Sequence, residues 1–543
     1  MKLWVDRHFL SLYLIALTLI GLGYISILPI FEGFDETAHF SRLREIAYSE
    51  KLKYTSSIDQ SVLDYKGPMP YGTGYPPYDT GEVYPKFFAS QNSLDFFYEN
   101  YRKGSLNHHF LPSNEFNWQY QHPPLYYLIT APILSLTDNF SFVTQFFAIR
   151  FFSYLIALFG VFFAMKTLLT TKAFRSVIDQ SEFFKFSALI YPLIFPEFFF
   201  EFARVGNDSL CLLLNGLLFY VLLKWLPDCF DIKKSIFIGV ILGIGMLTKA
   251  FFIPIGIAVT LFIFLHFLYN DFFKKEFLPA IKIFAAVFIP ALMIAGGWYL
   301  MKYLVSGDFG GGFEANQLQH NVGFMNGFKR NLSFGGLTHG ILMPLATFFW
   351  IGSWSVVRMP VTIYLILVLS GLWIFWNFVI NLKKISIFNF NWLIVWLLLL
   401  MLLGLFWHVL VMVALNGYGA SGGHYLHILF PWFIPAIALG VMRIFKNNRQ
   451  RFIFILLIAC AAVFQFIAIW FHMALFSGCA AKGEDKYFVF NSNSFCLDQV
   501  PLVMSRLKVL SFPELGVVFF LLGFGLLGYL IAREIQIKFI SRN

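Results

Sequence analysis

The seven residues Phe34-Asp35-Glu36-Thr37-Ala38-His39-Phe40 place two adjacent carboxylates a few positions beyond the end of an apolar run that begins near Phe9. A carboxylate pair at a membrane surface can act as a general base, bind a hard cation or gate an ion. Asp35 is the candidate base. Glu36 is the second group, able to hold Mg2+ or Mn2+ together with Asp35, to orient an acceptor or to stabilise the loop. The bland alternative is a solvated helix start, where acidic residues are favoured by the macrodipole. His39 follows Asp35 by four residues, so on a helix starting there it shares a face with Asp35 and could orient it or join it at a metal. The chain has no His-Glu-x-x-His sequence and no cysteine cluster that would signal a transition metal.

These groups must be positioned by a membrane scaffold. Of the 543 residues, 58% are hydrophobic and 13% charged, with a mean hydropathy of +0.69. A water-facing surface cannot be made from so few charges, so the composition indicates an all-α polytopic membrane protein, a single integral domain over residues 1–543. About twelve stretches approach the ~20 residues that a ~30 Å hydrocarbon core requires. They fall at roughly 9–30, 145–168, 183–202, 209–226, 236–249, 251–270, 282–304, 360–381, 392–415, 426–444, 452–474 and 510–532. The first has Lys2 and Arg7 ahead of it like a signal peptide, but it extends to about Ile30 without a small-x-small cleavage site and is expected to stay as a span.

The chain has 40 Lys and Arg against 30 Asp and Glu, and most of the excess lies in short loops. Lys166, Lys172 and Arg175, then Lys233 and Lys234, Lys274 and Lys275, Lys383 and Lys384, and Lys446, Arg449 and Arg451 mark one side. With Lys2, Arg7, Arg533 and Arg542 near the ends, they place both termini in the cytoplasm. The basic balance is therefore topological and does not point to nucleic acid. The opposite segments, at about 31–144, 305–359 and 475–509, are richer in Gly, aromatic residues and carboxylates, and function is expected on that outer face.

Within these outer segments, 124–136 and 341–357 are apolar but too short or wrongly placed to cross. A crossing by either would invert the parity of every later basic loop, so both are expected as helices in or dipping into the outer interface. Tyr71, Tyr75, Tyr78, Trp118 and Tyr120 suit sugar rings and an interfacial aromatic belt equally. Cys479 and Cys496 share an outer loop and form the candidate disulfide, whereas Cys211, Cys229 and Cys460 fall in spans or near the inner face.

Several motifs in order along the chain resemble the C-type (GT-C) glycosyltransferases, multi-span enzymes that use polyprenyl-phosphate sugars. FDETAHF resembles the acidic motif of protein O-mannosyltransferases and the DExAHF form of related bacterial membrane proteins. His122-Pro123-Pro124-Leu125-Tyr126-Tyr127 resembles an element of aminoarabinose transferases, and Arg150 follows where their next span has an Arg. GNDS at 206–209, MLTK at 246–249, GWYLMKYLVSGD at 297–308 and GGHYLHILFP at 422–431 are similar to further elements. The chain departs from the pattern at Lys302, where the family usually has Arg, and at His424, where it often has the Arg of GRYL. These differences bear on the phosphate contacts.

The resemblance implies an inverting transfer of one sugar from a polyprenyl-phosphate donor to a glycan, lipid or protein acceptor outside a membrane, with the bacterial cytoplasmic membrane as the default. Asp35 holds the position of the family's catalytic Asp. The chemistry asks for a base on the acceptor hydroxyl and positive charge for the departing phosphate. Arg204, Lys249, Lys302, Arg358 and His424 near the outer ends of spans are candidates for that charge, with His39, His122 and Tyr425 completing the expected substrate-binding set. Asp208 is expected to pair with Arg204. Competing readings are a polymerase or ligase of lipid-linked oligosaccharides, a transporter or flippase, and a membrane scaffold. Against a carrier stand the absence of matched halves, acids at the outer surface and long outer loops.

Overall fold

The computed structural model describes residues 2–49, 57–69, 83–170, 180–225, 231–272, 278–307, 323–350, 352–355, 357–358, 360–382, 390–419, 422–480, 488–489 and 496–540. Its main helices are α1 (Lys2–Ile27), α2 (Glu36–Tyr48), α3 (Leu125–Leu136), α4 (Phe142–Thr170), α5 (Gln180–Ile194), α6 (Glu197–Phe202), α7 (Asp208–Trp225), α8 (Ile232–Met246) and α9 (Phe252–Phe272). They continue with α10 (Leu278–Ser306), α11 (Phe324–Asn331), α12 (Phe334–Phe349), α13 (Val361–Leu382), α14 (Phe390–Asn416), α15 (Phe430–Ile444), α16 (Asn448–Phe476), α17 (Val500–Leu510) and α18 (Pro513–Ile540). The protein is an all-α polytopic membrane protein.

Each of the twelve apolar stretches coincides with helix. Among the described residues, nine helices are long and apolar enough to cross: α1, α4, α7, α10, α13, α14, α15 with the 3-10 turn before it, α16 and α18. The stretch at 183–202 is broken at Phe195-Pro196 into α5 and α6, because the residue before a proline avoids the helical region. Helix α5 has 15 residues, about 22 Å at 1.5 Å per residue. Helix α8 also has 15 residues, whereas α9 has 21.

Where α4 crosses α7, Gly160 and Gly216 face each other so closely that a Cβ on Gly216 would sit 2.2 Å from the Gly160 carbonyl oxygen. Close backbone approach of this kind is how helices associate in lipid, where burial of apolar surface gives no advantage over contact with acyl chains.

The segments expected outside contact one another and form a layer at one end of the bundle. Helix α2 and a two-stranded antiparallel sheet, Ser57–Asp59 with Pro112–Phe116, share this layer with α3. The Arg44 guanidinium binds the sheet's Asp59 at 2.6 Å and also the Asn107 and His109 carbonyls. Pro124 precedes α3, as its tolerance of a helix start requires. With 12 residues, about 18 Å, α3 is too short to cross. Helices α11 and α12 form a pair bent by 105°, with 8 and 16 residues; counted together they would make a tenth span. Cys479 and Cys496 are joined in a disulfide, and the parallel strand pair Val357–Arg358 with Phe488–Val489 ties the last outer loop to the one before α13. Cys211 and Cys460 are free thiols; Cys229 lies outside the described residues.

Candidate functional site

The turn from α1 into α2 is built from residues held in unusual backbone states. Phe31 has φ of 65°, a left-handed conformation that a bulky side chain adopts only when its surroundings compel it. Phe31 is wedged among Phe40, Tyr65, Phe142 and Phe146, with ring centroids 5.1 to 6.1 Å away. The next residue, Glu32, is fully buried and acts as a staple. Its carboxylate accepts from the Tyr84 hydroxyl, from Ser355 N at 3.1 Å and from Ser355 Oγ at 2.7 Å, while its carbonyl accepts from Trp354 N at 2.9 Å. Burial raises the Glu32 carboxyl above its usual range. Gly33 has no substitute, since a Cβ there would lie 2.5 Å from Glu36 Cδ and 2.6 Å from Arg204 Cβ.

Glu36, at the first position of α2, is buried and receives four donors. Oε1 accepts from Arg150 Nε at 2.8 Å and from Val205 N at 2.9 Å; Oε2 accepts from Arg150 Nη2 at 2.5 Å and from Gly33 N at 3.0 Å. Arg150 also donates to the carbonyls of Leu28 at 2.5 Å and Pro29 at 2.7 Å. A carboxylate has about four lone-pair directions, and here all four are taken. Glu36 is therefore a positioning residue that locks the turn to α4 and to the connection after α6. It does not fit the role of a metal ligand paired with Asp35. Among the described residues no group of three His, Cys, Asp or Glu could hold a metal ion.

Asp35 stands apart from this lock. Its φ of 58° is also left-handed, a region that Asp tolerates better than most residues, and its side chain does not cap the helix it precedes. Instead Oδ1 accepts from Trp118 Nε1 at 3.0 Å, and the residue is only partly buried. The pair does sit at a helix start, Asp35 at the N-cap and Glu36 in the first turn of α2, but Glu36 is fully buried and not solvated. His39 does not bond to the Asp35 side chain; its Nδ1 meets the Tyr127 hydroxyl at 2.8 Å. Burial, reinforced by the positive charge of Arg204, holds the His39 imidazole well below its usual range, so it is neutral.

Behind Asp35 lies a buried network of four charges. Arg204 Nη1 donates to the Phe34 carbonyl at 3.0 Å, and Nη2 donates to Glu201 Oε1 at 2.6 Å and to Asp208 Oδ2 at 3.0 Å. Lys249 Nζ donates to both Asp208 oxygens, at 2.8 and 2.9 Å, and lies over the rings of Tyr425 and Phe251. The expected Arg204–Asp208 pair is present, and two cations are balanced by two carboxylates. His424 stacks on Phe34, with centroids 5.2 Å apart, and its Nε2 is 3.8 Å from Glu201 Oε2, too far for a hydrogen bond. Among the described residues, neither ring nitrogen of His424 has a hydrogen-bond partner, nor do Thr37 Oγ1, Asn207 Oδ1 and Ser209 Oγ. Buried polar atoms left open in this way are what a polar ligand would satisfy.

Lys302 donates to the Tyr120 carbonyl at 3.0 Å and lies 3.4 Å from the centroid of the Tyr120 ring, with the Trp298 ring at 5.0 Å. Arg42 approaches the same Tyr120 ring at 5.0 Å.

The structure thus gathers Asp35, Glu36, His39, His122, Arg204, Lys249, Lys302, His424 and Tyr425 around one region. The charges of Lys249, Asp208, Lys302 and Arg204 all act on His122, and that of Asp35 on Tyr425. The backbone of Arg358 is in its strand, but its side chain lies outside the described residues, as do Tyr71, Tyr75 and Tyr78. Sequence reasoning missed Glu201, Arg42, Tyr127, Glu32 and the pairing of Trp118 with Asp35. Glu201, three residues before Arg204, and Arg42, three residues before Glu45, carried readable i,i+3 signals; Tyr127, Glu32 and the Trp118–Asp35 pair are joined across distant loops. No family model, curated protein or solved structure matches this chain.

Proposed function

We propose that the protein is an inverting GT-C-type glycosyltransferase that moves a sugar from a polyprenyl-phosphate donor to an acceptor on the outer side of the membrane. The observation that carries this reading is Asp35. Its carboxylate is turned away from its own helix and held by Trp118, beside buried cations and unpartnered polar atoms.

In this reading Asp35 takes the proton of the acceptor hydroxyl as that oxygen attacks the anomeric carbon. The bond from that carbon to the phosphate oxygen breaks, and the electron pair leaves with the polyprenyl phosphate, inverting the configuration. Charge on the leaving phosphate is met most directly by Lys302, whose ammonium is held by a carbonyl and ring faces. Lys249 and Arg204 are neutralised by Asp208 and Glu201, so they tune the field and shape of the cavity more than they add charge. Twelve crossings with both termini cytoplasmic put this layer outside, α5 and α8 being short spans and α3 and the α11–α12 pair interfacial. No step is routed through a metal.

The test is transfer by the purified protein in lipid with a panel of radiolabelled polyprenyl-phosphate sugars and membrane extract as acceptor. Asp35→Asn should fold and bind donor but lose transfer; unchanged turnover would refute Asp35 as the base.

A second reading has its own support. Glu201, Arg204, Asp208 and Lys249 lie at the breaks between α6 and α7 and between α8 and α9, and discontinuous helices with buried charge are where secondary carriers bind their cargo. A carrier would lose uptake into proteoliposomes on Asp208→Asn and keep it on Asp35→Asn.

A further inference from the structure

At the end of the bundle away from this layer, α13, α15 and the start of α16 enclose a groove of about 570 Å3. Trp373, Trp376 and Asn377 of α13 form one wall, and Arg443, Lys446 and Gln450 the other. Arg443 ends α15, and Lys446 N donates to its carbonyl at 3.2 Å, so the two cations lie one turn apart on the same side. Both are exposed, and among the described residues neither makes an ion pair and no carboxylate lines the groove. Trp376 is 63% exposed, a position typical of indoles at the level of lipid headgroups.

We propose that this groove binds the headgroup of an anionic phospholipid, the phosphate lying between Arg443 and Lys446 and the glycerol and upper acyl chains against Trp376 and Trp373. Several features select a lipid over a soluble anion. The groove opens beside the lipid-facing side of α13, where Leu365, Leu369 and Leu372 are also exposed, so an acyl chain can continue from it along the helix. Asn377 and Gln450 supply amides within reach of headgroup hydroxyls at the groove's edge. The basic loops place this end at the cytoplasmic leaflet, where anionic lipids attract juxtamembrane cations. The inference does not depend on the transferase reading, since none of these residues belongs to the outer site.

The experiment is native mass spectrometry of the full chain in detergent, titrated with phosphatidylglycerol or phosphatidylcholine. Wild type should retain one phosphatidylglycerol more tightly than phosphatidylcholine, by on the order of tenfold to thirtyfold for two cations near the surface. Arg443→Glu with Lys446→Glu should remove that preference, and Trp376→Ala should weaken retention of both lipids. Equal retention of the two lipids by wild type, or an unchanged preference in the double variant, would overturn the proposal. Displacement of the lipid by millimolar glycerol phosphate would overturn it in favour of a soluble-anion site.

Discussion

The Glu36–Arg150 pair offers the most direct quantitative test, because its role as a lock can be measured without knowing a substrate. Removing Glu36 as Ala would strip Arg150 of the Glu36 carboxylate and leave Gly33 N and Val205 N without their acceptor. Breaking a buried pair by deleting one partner costs about 3–5 kcal/mol, and each orphaned buried donor about 1–3 kcal/mol. These terms overlap, since Arg150 keeps the Leu28 and Pro29 carbonyls and water can enter, so about 5 kcal/mol is expected for Glu36→Ala. Glu36→Gln keeps the shape but sets an amide N–H against a donor, and should cost about 2–3 kcal/mol. Arg150→Met should cost about 3–5 kcal/mol, and the double variant Glu36→Gln with Arg150→Met less than the two singles together, by about 2 kcal/mol or more. Equilibrium unfolding in mixed micelles of rising SDS fraction would measure all four. If Glu36→Ala lost under about 1 kcal/mol, or if the cycle showed no coupling, the lock would be refuted and Glu36 would again be a candidate for the chemistry.

Trp118→Phe removes the indole N–H that donates to Asp35; a hydrogen bond to a charged acceptor is worth about 1.5–3 kcal/mol, so turnover should fall about 10- to 100-fold with donor affinity unchanged. His39 titrates below its usual value in the folded protein, so below about pH 6.5 the unfolded chain binds a proton that the native state refuses. Stability should fall with pH there by up to about 1.4 kcal/mol per unit, and the raised Glu32 carboxyl, of opposite sign, is common to wild type and variant. His39→Gln should therefore flatten the acid limb of the stability profile; an identical profile would mean His39 is charged in place. Reducing the Cys479–Cys496 bond, which closes a separation of 17 residues, should cost about 3 kcal/mol, and a membrane-impermeant maleimide should label the reduced pair from outside. Labelling from the cytoplasmic side only would invert the topology.

Much of the scaffold was legible in the chain. Length and apolarity of each span are local properties, so the twelve apolar stretches coincide with helices, and the two cysteines that share one loop are joined. What length alone could not show is that Pro196 breaks the third stretch, or that α11 and α12 meet at 105°.

The two carboxylates at 35 and 36 show where the sequence stops. Their identity, adjacency and place after the first span were enough to mark them, because charge at a membrane edge must be satisfied or used. Their roles were decided only in three dimensions. One residue of left-handed backbone at Asp35 turns its carboxylate toward Trp118, 83 positions away, while Glu36 points inward to Arg150, 114 positions away. A sequence records which groups are present and what local conformation they favour. Which donor a carboxylate meets depends on how distant loops pack, and that is a property of the folded chain.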